Sequence, residues 1–79
     1  MEIKTLIAKR IRQLRDEKKL TQEQLAWKSE VNRTFMNHVE SGKRNISVET
    51  LDKILYGLEV SFTEFFSSEK FQATKKKRK

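Results

Sequence analysis

The chain has 79 residues, 35% hydrophobic and 37% charged, with no cysteine and no proline. That is one domain near the lower size limit for an unaided core, and it excludes disulfide staples and thiolate zinc sites. Eighteen Lys plus Arg against eleven Asp plus Glu give +7, a balance that favours a polyanionic partner.

Ile3, Ile7, Ile11 and Leu14 recur at helical spacing, with Lys9, Arg10, Arg12 and Gln13 on other faces, which predicts a first helix over 3–18. Thr21 and Gln24 form the T-x-x-Q capping box of a second helix, with Leu25 and Ala26 inward and an end near Ser29. Asn32 caps a third helix that begins at Arg33, turns Met36 and Val39 inward and stops at Gly42. Ser47 caps a fourth, with Leu51, Ile54, Leu55 and Leu58 inward. Ser61 and Glu64 open a short fifth through Phe65 and Phe66. The fold class is all-α, a compact five-helix domain over 1–69. Residues 70–79 read as a disordered basic tail. Its run Lys75, Lys76, Lys77, Arg78, Lys79 carries five of the seven net charges and leaves +2 on the body. The run reads as a solubilising end, as extra phosphate contacts, or as a localisation-type basic run.

The stretch from Gln22 to Glu40 has the helix-turn-helix layout, with a tight turn around Glu30 and Val31. Ala26 is small where the helices cross, and Val31 tucks beneath the turn. The inward pair Met36 and Val39 leaves Arg33, Thr34, Asn37 and His38 outside. Such residues suit a major-groove reader: Arg bonds both acceptors of guanine, Asn pairs bidentately with adenine, and Thr offers a hydroxyl and a methyl. The competing interpretation is an ordinary solvated polar face. For His38 a base contact and a solvated side chain both stay open. Trp27 is read either against sugar–phosphate or as half-buried packing.

The runs L-T-Q-E-Q-L-A at 20–26, V-N-R-T-F-M at 31–36 and V-E-S-G-K-R-N-I-S at 39–47 resemble the XRE-type, lambda-repressor-like helix-turn-helix family. With L-E-V-S-x-x-E-F-F after them, they most resemble the controller proteins of restriction–modification systems. The resemblance covers roughly residues 5–67. It departs at Glu30, where the family most often has glycine. It implies a sequence-specific regulator of transcription that binds a double-stranded DNA operator, acts on its own gene, activates at low occupancy and represses at high. RNA polymerase is then a further partner, and the setting is the bacterial cytoplasm. By the same resemblance Gln22 contacts a phosphate at the start of the second helix, and Lys43, Arg44 and Asn45 grip the backbone beyond the groove. Arg15 and Glu40 meet as an ion pair under the recognition helix. Phage-type repressors and antitoxin-like proteins share much of the pattern.

The fifth helix holds more apolar residues than one buried face requires. Phe65 follows the inward spacing, which leaves Phe62 and Phe66 near the surface with Tyr56 alongside. Grouped exposed aromatics mark an interface, and a two-fold homodimer is expected, with its Arg33 helices one DNA turn, roughly 34 Å, apart. The alternative is that both rings fold over the domain's own core. Catalysis is not expected: the chain lacks cysteine, an H-E-x-x-H pattern and a phosphate-cradling glycine loop. No cofactor, metal or membrane partner is implied, since His38 has no clustered second ligand and no apolar run approaches ~20 residues.

Overall fold

The computed structural model describes residues 2–72, which form six helices and, among these residues, no strand: α1 (Ile3–Glu17), α2 (Gln22–Lys28), α3 (Arg33–Glu40), α4 (Val48–Leu58), α5 (Phe62–Phe66) and α6 (Glu69–Gln72). Four of them start on a side chain that accepts from an amide three positions on. Thr21 Oγ1 accepts from the Gln24 amide at 3.0 Å while Gln24 Oε1 accepts from the Thr21 amide at 2.8 Å, so the capping box is complete. Asn32 serves α3, Ser47 serves α4 and Ser61 serves α5, at 3.0–3.1 Å. Each cap satisfies a donor that the helix itself cannot, an effect typically worth about 1 kcal/mol.

The helix ends share one device. After α1, α2, α3 and α4 a residue with positive φ follows: Lys19 (58°), Glu30 (58°), Gly42 (78°) and Glu59 (61°). Each of these donates its amide three residues back, and the next residue donates five back, as Val31 does to the Ala26 carbonyl at 3.0 Å. This is the Schellman pattern. Only one of the four left-handed positions is glycine. At the other three, the residue after the turn is Leu20, Val31 or Val60, each packed against the core. A left-handed non-glycine residue costs roughly 1–2 kcal/mol, and burying a Leu or Val offsets about that much. After Gly42 comes Lys43, which is exposed, so no burial offsets strain there and the glycine relieves it instead.

The core joins Ile11 and Leu14 of α1, Leu25 and Ala26 of α2, Met36 and Val39 of α3, four residues of α4 and Phe65 of α5. α2 packs against α3 on one side and α4 on the other, and α1 packs against α3. Two expectations for α1 need correction. Ile3 is exposed, because the first turn overhangs the core. Arg10, assigned to an outer face, is buried: its Nε donates to the Phe65 carbonyl and its Nη2 to the Glu64 carbonyl, both at 2.8 Å. A guanidinium therefore caps the C-terminal end of α5, where the helix dipole is negative.

Helical structure also runs past the expected boundary at residue 69, into α6. Phe71 is the reason. Its ring lies edge-on to Phe66 at 4.8 Å between centroids and tilted against Phe65 at 5.7 Å. One aromatic in a polar stretch is too little for a periodicity argument, yet enough to anchor a turn. The lysine-rich run 75–79 lies outside the described residues.

Candidate nucleic-acid interface

The α3 sequence R-T-F-M-N-H-V-E turns Met36, Val39 and Glu40 into the domain and leaves Arg33, Thr34 and Asn37 exposed, with His38 half-buried. Ala26 is buried in the contact with the neighbouring helices, and Val31 is half-buried beneath the turn. The helix is thus held from below by apolar contacts while its outer face is exposed.

Glu40 is the polar exception beneath it. Its side chain is 2% exposed and faces the Arg15 guanidinium in a two-point pair: Nε to Oε2 and Nη2 to Oε1, both 2.9 Å. Arg15 Nη1 also donates to the Leu20 carbonyl at 3.0 Å, which ties the end of α1 to the start of the motif. The bidentate geometry satisfies both carboxylate oxygens, the condition under which a buried charge is tolerable.

Hydrogen bonds carry on from that pair to the outer face. Gln22 Nε2 donates to Glu40 Oε1 at 3.3 Å, and Asn37 Nδ2 donates to Gln22 Oε1 at 3.2 Å. Gln22, the first residue of α2, is therefore half-buried and engaged with two neighbours. At the other end of the face, Arg33 Nη1 lies 3.8 Å from Glu23 Oε1 with both side chains largely exposed. An exposed pair at that distance holds weakly.

Gly42 turns the chain after α3 and brings Lys43, Arg44 and Asn45 to the surface in sequence. The Arg44 guanidinium lies 5.2 Å from the centroid of the half-buried Phe35 ring, within cation–π range. Phe35 thereby meets a loop cation from within α3. Sequence reasoning missed this role and that of Glu23. The signal available was an aromatic and an acid on otherwise basic or polar surfaces.

Among the described residues four aromatics are exposed: Trp27, Tyr56, Phe62 and Phe66. Phe66 (39% exposed) meets the Phe65 ring edge-on at 4.9 Å, and Phe62 is 37% exposed. Tyr56 is 80% and Trp27 81% exposed, so Trp27 is not half-buried: it sits one residue past the inward Ala26, beyond reach of the core. The two line a surface groove of about 690 Å³ with Glu30 and Glu59. None of the helices is long and apolar enough to cross a membrane among the described residues.

A family model described as helix-turn-helix matches residues 11–65. The chain is 39% identical over 67 residues to the control protein C.MunI of Mycoplasma sp, which covers 84% of this chain and 90% of that one. It is 36% identical over 59 residues to the control protein C.BamHI of Bacillus amyloliquefaciens, which covers 73% of each. Among solved structures, it resembles the wild-type restriction–modification controller protein C.Esp1396I with a TM-score of 0.83, at 36% identity over 92% of this chain and 91% of that one. The same controller, as a tetramer in complex with its natural 35 base-pair operator, matches with a TM-score of 0.81 at 38% identity over 84% and 87%.

Proposed function

Because this chain belongs to the helix-turn-helix family, and within it groups with the restriction–modification control proteins, we propose that it is the autoregulatory controller of such a system. It is a sequence-specific regulator of transcription that binds duplex DNA and is not an enzyme. The observation that carries the reading is the state of α3: Arg33, Thr34 and Asn37 are exposed on a helix fixed to the core, with Asn37 bonded to Gln22 and Arg33 held only weakly by Glu23, beside the exposed Lys43, Arg44 and Asn45. A groove-entering helix needs that division between a rigid inner face and a solvent-accessible outer one.

In this reading Arg33 and Thr34 contact base edges from the N-terminal turn, with Asn37 and His38 following. Gln22, Lys43, Arg44 and Asn45 hold phosphates on the two sides of the groove. Two copies bind a pseudo-palindromic operator as a homodimer joined through Tyr56, Phe62 and Phe66, in the bacterial cytoplasm. Activation at low occupancy involves contact with RNA polymerase.

A gel shift with the DNA upstream of the protein's own gene tests this. Binding that depends on sequence and weakens steeply with salt supports the regulator. No preference for that DNA over a random duplex counts against it. A methyltransferase or endonuclease gene alongside distinguishes a controller from a phage-type repressor.

A further inference from the structure

Arg10 is a buried guanidinium without a carboxylate partner. Its side chain belongs to a residue only 8% exposed, and among the described residues no ion pair includes it. Its donors meet neutral acceptors instead. Nε donates to the Phe65 carbonyl and Nη2 to the Glu64 carbonyl, both at 2.8 Å, and Nη1 donates to Gln13 Oε1 at 3.0 Å. Gln13, on the next turn of α1, thereby fixes the direction of the fork. Arg15 on the same helix has Glu40 for its charge, whereas Arg10 has the negative end of α5. A guanidinium keeps its charge in proteins, and a buried charge left unpaired is costly. A tilt of α5 that carried these two carbonyls away would strand that charge.

The buried Phe65 also anchors α5, but apolar burial has no direction, and a helix of five residues can rock on a single ring. Two hydrogen bonds from one planar fork do have direction. They hold the carbonyls of the two residues just before Phe66. Phe62 lies one turn earlier on the same face of α5 as Phe66, so fixing that end of the helix fixes where both rings point. We propose that Arg10 is a positioning residue for the homodimer: it sets the angle at which α5 presents Phe62 and Phe66. It does so from α1, the helix that packs against α3, and so ties the aromatic face to the reading helix. The separation of the two α3 helices across such a dimer, roughly 34 Å for one DNA turn, then depends on a residue buried inside each protomer. This role rests on the proposed dimer through Tyr56, Phe62 and Phe66, and adds what keeps that interface in register with α3.

The test compares the wild type with Arg10→Met and Arg10→Lys by urea unfolding, by sedimentation, and by binding to a full operator and to a half-site that admits one copy. Met fills the buried volume without charge or donors, and Lys keeps the charge as one compact donor group. In Arg10→Met the Glu64 carbonyl still accepts from the Ser67 amide and hydroxyl, but the Phe65 carbonyl loses its Arg10 bond. Unfolding is expected to stay cooperative. Half-site affinity stays within about twofold of wild type, because α3 is held by other residues. The dimer Kd rises about tenfold or more, because both protomers must then reorder α5 on association. Full-operator affinity falls with it, and Arg10→Lys recovers part of both losses. A dimer as tight in Arg10→Met as in the wild type overturns the proposal. Equal losses on half-site and full operator also overturn it, since Arg10 then supports the domain as a whole, and unfolding of both variants does so for the same reason. A wild type that stays monomeric at micromolar concentration is the separate failure of the dimer reading, and removes this role with it.

Discussion

Gly57 of α4 lies directly against Ser29, the residue that ends α2. A Cβ built on Gly57 would come closer to Ser29 Oγ than real Cβ atoms approach, and would stand 3.1 Å from the Ser29 amide nitrogen and 3.2 Å from Leu25 Cδ1. Ser29 Oγ is itself buried without a hydrogen-bond partner among the described residues. In an open helix, Gly→Ala stabilises by about 1 kcal/mol. Here overpacking, typically 1–3 kcal/mol, opposes and exceeds that gain. Gly57→Ala is therefore expected to lower stability in urea unfolding. Ser29→Ala alone is near neutral, because the hydroxyl it removes has no partner to lose. The double variant should recover part of the Gly57→Ala loss, and strict additivity would show that the two residues do not compete for the same space.

Removal of Arg15 strands the Glu40 carboxylate beneath the recognition helix. Arg15→Ala is expected to cost about 3–5 kcal/mol of folding stability and to weaken DNA binding through the displaced α3. Urea unfolding followed by circular dichroism measures the first effect. A loss below 1 kcal/mol would mean that Glu40 finds water or another donor.

Specificity and affinity should separate between α3 and the loop after it. Arg33→Ala is expected to relax base preference at one operator position by about 1–3 kcal/mol. Lys43→Ala should weaken all duplexes alike and flatten the salt slope by about one phosphate's share. Titrations of operator and random DNA across salt concentrations distinguish the two. Equal losses on both duplexes for Arg33→Ala would remove it from the base readers.

The proposed dimer interface of Tyr56, Phe62 and Phe66 is best probed at Tyr56. Phe66 also packs on Phe65 and Phe71, so its replacement disturbs the monomer. Tyr56, at 80% exposure, has little to lose within its own chain. Sedimentation at micromolar concentration should show a dimer for the wild type and a shift toward monomer for Tyr56→Glu and Phe66→Glu. A monomeric wild type would count against the dimer, and a dimer that persists in both variants would place its interface elsewhere.

The helices and their starts were legible because caps and apolar spacing are local: Thr21, Asn32, Ser47 and Ser61 each act within three residues of themselves. The Arg15–Glu40 pair spans 25 residues, and only the family resemblance pointed to it. Arg10 was misplaced because its partners, two backbone carbonyls of α5, lie more than 50 residues away and are invisible to periodicity. The outer face of α3 could be read as a set of residue types. Its internal wiring through Gln22 could not, because a hydrogen-bond direction is set by where Glu40 is buried.

The three non-glycine helix stops at Lys19, Glu30 and Glu59 have a consequence for the unfolded chain. Glycine at any of them would relax the folded backbone, but it would also give the denatured chain more conformations to lose, which offsets about 0.4–1 kcal/mol of the gain. A chain with only two glycines and no proline thus starts from a denatured ensemble with few unusually free or unusually stiff links. It contains no X–Pro bond whose slow isomerisation could delay refolding. Its helices close through contacts four and five residues apart, so each can form and stop before distant segments meet. For the autoregulator proposed above, the interval between translation and a folded, operator-competent chain is then short on the scale of proline-limited folding.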